Sequence, residues 1–121
     1  MREIKFRGKR IDNSNWIYGD LLQGSEICDI YEISDCNTID GSRYEIDRKT
    51  VGQYTGLKDK KGKKIYEGDI VKADIDKAIV EYSENDSGFI LKPIGDYYFD
   101  SPMLAHSIKY LDLEVIRKYL W

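Results

Sequence analysis

The 121-residue chain is predicted to be all-β and mainly antiparallel, and two observations carry that prediction. Apolar residues recur at every second position in short runs, the period at which side chains alternate between the two faces of a pleated strand. Each run is closed by a cluster of Gly, Asn, Asp or Ser, the residues that satisfy turn geometry or tolerate its unusual backbone angles. Only one segment carries a convincing helix start. The length suits a single domain able to bury a core without disulfides or metals. Ten Tyr, two Trp and three Phe against two Pro exclude a disordered chain, and 34% charged residues require a heavily solvated surface.

In chain order, Ile4 and Phe6 alternate with Lys5 and Arg7 in a first strand. Asp12-Asn13-Ser14-Asn15 then turns the chain into Trp16-Ile17-Tyr18, making a hairpin. Ile27 to Ile33 is a third strand by its β-branched content. Asp40-Gly41 turns into Tyr44 and Ile46, and Val51 to Tyr54 is a further extended piece. Asp59 to Gly62 is a tight turn, and Gly68-Asp69 opens a strand through Ile70, Val71 and Ala73 toward Ile75. Ala78 to Tyr82 and Gly88 to Ile94 form the clearest hairpin, reversed by Asn85-Asp86-Ser87-Gly88. Tyr97 to Phe99 adds an edge. Ser101-Pro102 starts one short helix near residues 102–107, because Ser caps exposed amides and Pro loses nothing at the first helical position. Leu113, Val115 and Ile116 make a final strand.

Charge is arranged in blocks: +4 over residues 1–10, −7 over 20–47, +6 over 48–64 and −6 over 65–100, for a net of −3. That total argues against binding nucleic acid by overall charge. Cys28, Cys36 and the single His106 cannot supply a four-ligand zinc set, so no metal and no cofactor is expected. The thiols are expected to be reduced and buried as small hydrophobes. Arg2, Glu3, Lys5 and Arg7 break the only stretch that could begin a signal peptide, and no apolar run approaches the roughly 20 residues of a membrane helix. A soluble cytoplasmic protein is expected.

The densest candidate site is the basic turn at 58–64. Lys58, Lys60, Lys61, Lys63 and Lys64 could contact phosphate, with Tyr54 and Tyr66 as the neighbouring stacking rings. The same stretch is a poor phosphate-binding loop, since five residues separate Gly56 from Gly62 and Lys64 stands where Ser or Thr would hold magnesium. A solvated loop facing acidic segments is the simpler account. Glu67 and Asp69 have no pocket to separate their acidities, and Asp69 suits an Asx turn. His106 has no nucleophile beside it in any motif. No catalytic residue is assigned, and the protein is expected not to be an enzyme. Trp16, Trp121, Tyr18, Tyr97, Tyr98 and Phe99 are expected to be mostly core or hairpin pairs, and because a domain this small rarely hides so many rings, the second reading is an aromatic patch for a partner or a second copy.

The run Thr50 to Asp59, continuing through Ile65-Tyr66-Glu67-Gly68-Asp69-Ile70-Val71, resembles the YopX family of phage and prophage proteins, as does the opening Met1 to Arg10 followed by Trp16-Ile17-Tyr18-Gly19. Lys61 stands where the family more often has Asn. The basic turn near residues 56–66 separates two sets of strands, so two lobes, 1–56 and 65–121, are expected within one domain over 1–121; the resemblance implies that this domain is YopX-like and its C-terminal part similar to a small SH3-like barrel. It also implies a phage origin and a bacterial host cytoplasm, and it brings no catalytic residues. The reading that follows is a non-catalytic protein-interaction or self-assembling β module, binding a host or phage protein or itself. The alternative is nucleic-acid binding through the turn at 58–64.

Overall fold

The structure, a computed structural model of the chain, describes residues 3–24, 30–73, 76–95, 103–110 and 112–118. It is mostly antiparallel β with one short helix, as the periodicity predicts. The chain divides into two compact units, residues 1–54 and 55–120.

The first unit contains β1 (Phe6–Lys9), β2 (Trp16–Gln23), β3 (Tyr31–Asp35), β4 (Arg43–Glu45) and a 3-10 turn at Arg48–Thr50 before β5 (Gly52–Lys58). Strands β1 to β4 are hydrogen-bonded in sequence order, and β5 begins on the free side of β1 through Phe6↔Gln53 and Arg7↔Gly52. The other half of that side of β1 is taken by the chain leaving β4. Arg10 bridges Ile46, the Ile11 amide donates to the Glu45 carbonyl, and the Asp47 amide donates to the Lys9 carbonyl. The sheet is thereby drawn round on itself. Ile17, Ile33 and Ile46 are its buried centre, flanked by Phe6, Leu21 and Tyr44. Gly8 is closely packed at this closure: a Cβ there would lie 2.8 Å from Ile46 Cδ1, and the end of that side chain would have to shift.

Differences from the sequence expectations have local causes. Strand β2 runs five residues past Tyr18, because its register with β3 continues from Gly19↔Asp35 to Gln23↔Tyr31. Strand β3 runs over Tyr31–Asp35, with Ile30 outside it; residues 25–29 of the expected strand, with Cys28, lie outside the described residues. Cys36 is not buried but exposed. It stands in the turn after β3, where its amide donates to the Tyr18 carbonyl.

In the second unit, the later part of β5 and β6 (Lys64–Tyr66) flank the Asp59–Gly62 turn. A four-stranded sheet follows in the order β10-β7-β8-β9, from β7 (Asp69–Ala73), β8 (Asp76–Ser83), β9 (Gly88–Ile94) and β10 (Leu113–Lys118), with helix α1 (Leu104–Tyr110) between the last two strands. Val71, Val80, Leu91, Leu113 and Val115 turn to one face and pack with Leu104 of α1 and Ile65 of β6. The outer positions of each strand alternate with them. The SH3-like barrel implied for this part is not what the ladders show: no bond joins β9 to β10 among the described residues, and the sheet is open. The helix begins two residues beyond the expected start, and its Ser107 amide donates to the Met103 carbonyl. Ile75, Tyr97 to Phe99, Ser101-Pro102 and Tyr119 to Trp121 lie outside the described residues.

Backbone packing between β2 and β3 leaves no room at Gly19, where a Cβ would fall 1.8 Å from the Ser34 carbonyl oxygen. Gly19→Ala is expected to cost about 3 kcal/mol, as a substitution that must displace a paired strand. Urea unfolding followed by Trp fluorescence checks this, and a loss below about 1 kcal/mol would show that the two strands can shift freely.

Candidate functional site

The turn that the sequence singles out is built around one acid. Asp59 is buried, with 7% of its surface exposed. Its Oδ1 accepts hydrogen bonds from the amides of Lys61 (2.9 Å) and Lys63 (2.8 Å), and its Oδ2 accepts one from the amide of Val115 on β10 (3.0 Å). The Asp59 amide donates to the Lys63 carbonyl, and the Lys60 amide donates to the Leu113 carbonyl. Gly62 closes the turn at φ +81°, a left-handed conformation suited to glycine. The turn thus occupies the outer edge of β10, supplying an acceptor for Val115 and a donor for Leu113.

The lysines around it divide. Lys61 Nζ lies 2.7 Å from Glu114 Oε1 on β10, and Lys60 Nζ lies 3.9 Å from Oε2. The Lys61 ammonium holds the Glu114 carboxyl below its usual range, and Glu114 in turn raises Lys61. Two of the five candidate lysines therefore face an acid of the same unit, as a loop opposite acidic segments would. Lys58 and Lys63 are exposed and Lys64 is half-buried. Tyr54 and Tyr66 are in the interior, 6% and 5% exposed, so neither ring offers an open face to a base. Asp69 is buried and its Oδ2 accepts from the Tyr66 amide at 2.8 Å, the turn-supporting role expected of it. His106 stands exposed on α1. Among the described residues, no group of three or more His, Cys, Asp and Glu is placed to hold a metal, and no helix is long and apolar enough to cross a membrane.

A second arrangement escaped the sequence. In the first unit a cleft of about 480 Å³ opens where the end of β1 meets β3 and the chain after β4, with Lys9, Arg10, Ile11, Ile30, Tyr31 and Arg48 on its walls. Arg10 grips Asp12 through two hydrogen bonds and lies over the Tyr44 ring, 3.9 Å from its centroid. Arg48 lies over Tyr31 at 5.9 Å. Ile11 and Ile30 are 57% and 42% exposed beside them. Glu45 and Asp47 complete the wall, and Asp47 also caps the 3-10 turn by accepting from the Lys49 amide. The Thr50 hydroxyl accepts from the Lys9 amide and donates to the Asp47 carbonyl, which fixes the floor. The only signal for this site in the sequence is the position of Lys9, Arg10 and Arg48 in the two basic blocks, because the strand closure that unites them is long-range.

Of the rings considered for an aromatic patch, Tyr97, Tyr98, Phe99 and Trp121 lie outside the described residues, and Trp16 and Tyr18 are half-buried. Among the described residues the exposed large apolar side chains are six isoleucines and one ring, Tyr82. Trp16 is half-buried beneath cations, with the Arg7 guanidinium 4.7 Å and the Lys9 ammonium 5.5 Å from its centroid.

Burial opposes ionisation of Asp59, but its three amide donors and the nearby Lys63 outweigh it and hold the carboxyl below its ordinary value of 3.8. The stabilisation from this group is present above that ordinary value and is lost as pH falls through the lower folded-state value. Asp59→Ala, which leaves three amides without their acceptor, is expected to cost about 3 kcal/mol or more at neutral pH. Urea midpoints across acid pH should show a smaller acid-induced loss in the variant than in the parent chain. Equal pH slopes would remove Asp59 from this role.

No relative of the chain is found among curated proteins. The family model described as YopX protein matches residues 5–116, nearly the whole length, and the chain belongs to that family.

Proposed function

We propose that the protein is a non-catalytic protein-interaction module, an accessory protein of a phage or prophage acting in the host cytoplasm, and that the cleft of the first unit is where it docks a protein partner. The observation that carries this reading is the composition of the cleft: two exposed isoleucines beside two arginines, each already laid over a tyrosine. Arg and Tyr are the residues that most often concentrate binding energy at interfaces. Side chains held in place before docking also lose less freedom when a partner arrives. The three cations Lys9, Arg10 and Arg48 face Asp12, Glu45 and Asp47, so charge is nearly balanced. The partner is therefore expected to present an apolar side chain to Ile11 and Ile30, with polar groups at the rim.

The non-catalytic part of the reading is supported by how the acids are used. Asp59 and Asp69 accept backbone amides that hold the turns of the second unit. The turn at 58–64 is a weaker candidate for nucleic acid than its lysine count suggests, because Glu114 pairs with Lys61 and lies near Lys60, and both tyrosines are interior.

A tagged full-length chain incubated with host lysate is expected to retain a defined protein, or to self-associate by light scattering. Ile11→Asp and Arg48→Glu should each weaken that association about 30-fold, the loss of about 2 kcal/mol typical of an interface anchor, while thermal melting stays unchanged. A monomer that retains nothing, or variants that retain the partner undiminished, would end the proposal.

A further inference from the structure

We propose that the outer face of the second unit's four-stranded sheet binds the phosphate backbone of duplex DNA. This goes beyond the docking cleft, which lies in the other unit. The face is defined by register. Lys72 on β7 sits directly opposite Lys77 on β8, and Lys77 sits opposite Ile94 of β9, so Lys92 is its diagonal neighbour. All three lysines are exposed, and none has an ion-pair partner among the described residues. On the other side of Lys72, in the same cross-strand row, stands Glu114 of β10, which already faces Lys60 and Lys61. Glu81, opposite Ile90, is the other carboxylate that the register places on this face. Five lysines therefore face two acids.

Directly opposed residues on antiparallel strands have Cβ atoms about 5 Å apart, and like charges there are destabilising. Lys72 and Lys77 are such a pair; Glu114 flanks Lys72 but already faces Lys60 and Lys61, and among the described residues no carboxylate stands opposite Lys77. A polyanion compensates the repulsion of the pair, and each ammonium group that meets a phosphate also releases condensed counterions. Ammonium groups are compact point charges suited to phosphate. Between the lysines the face carries half-buried Ile79 and Ile90. Single strands are held by aromatic stacking, which isoleucine cannot provide, so the occupant is the duplex backbone, read by charge and not by base. These three lysines are the only basic residues in a block of net charge −6, and strand pairing collects them on one side.

Fluorescence anisotropy of a labelled short duplex, titrated with the full-length chain across a potassium chloride series, tests this. If Lys72, Lys77 and Lys92 each neutralise one phosphate, log K should fall with log salt at a slope of about −3. Lys77→Glu should weaken binding about tenfold at low salt and flatten the slope by about 1, with a melting temperature equal to or above the parent's, since it turns an opposed like-charge pair into an opposite one. Ile11→Asp should bind the duplex as the parent does, which separates this face from the docking cleft. The proposal is overturned by salt-independent or undetectable duplex binding, by unchanged affinity in Lys77→Glu, by tighter binding of the single strand, or by tighter binding of polyglutamate, which would assign the face to an acidic protein segment.

Discussion

The second unit depends on one ionised carboxylate. Asp59 reaches across 56 positions of sequence to the amide of Val115 while holding the amides of Lys61 and Lys63 in its own turn. Three charge-assisted bonds compensate for the desolvation that burying a carboxylate costs, and removing them would leave buried donors unsatisfied. The consequence reaches beyond the turn. Strand β10 is an edge strand, and exposed edges invite pairing with other chains. Asp59 and the Lys60 amide occupy that edge at Val115 and Leu113, and the Lys61–Glu114 pair lies over the same stretch. At the other edge, Ile90 bridges Met103 ahead of α1, and Pro93 removes a donor from β9.

The two surfaces assigned to binding arise by different physics. The cleft of the first unit follows from closure: the chain leaving β4 returns to β1 through the Arg10–Ile46 bridge, and the junction leaves Arg10 over Tyr44 and Arg48 over Tyr31. Its cations are largely balanced, so recognition there is a matter of shape and apolar contact. The lysine face of the second unit follows from alternation. Val71, Ala78 and Leu91 point into the core, which obliges their neighbours Lys72, Lys77 and Lys92 to point out together. Lysines outnumber carboxylates there among the described residues, and the reach of that charge falls with ionic strength.

Much of the strand content was legible because it is local. Alternation at Ala78 to Tyr82 and Gly88 to Ile94, and the turn residues between them, describe β8 and β9 almost to the residue. The Asx role of Asp69 was readable for the same reason, since its partner Tyr66 is three residues away. Less legible were the length of β2, which is set by its pairing with β3, and the partner of Asp59, which lies at the far end of the chain. Tyr54 and Tyr66 looked like stacking rings beside a basic turn because proximity in sequence says nothing about which side of a strand is covered.

By itself the amino-acid order determined the class of structure, the places where the chain reverses and the family, because periodicity, turn chemistry and a near full-length motif pattern are all properties of neighbouring residues. Tertiary structure alone decided which charges are spent and which are free. Glu114 pairs with Lys61 and lies near Lys60, while Lys72, Lys77 and Lys92, set in a block of net charge −6, share one face without an ion pair among the described residues. Charge interactions act through distance in space, and only strand register sets that distance.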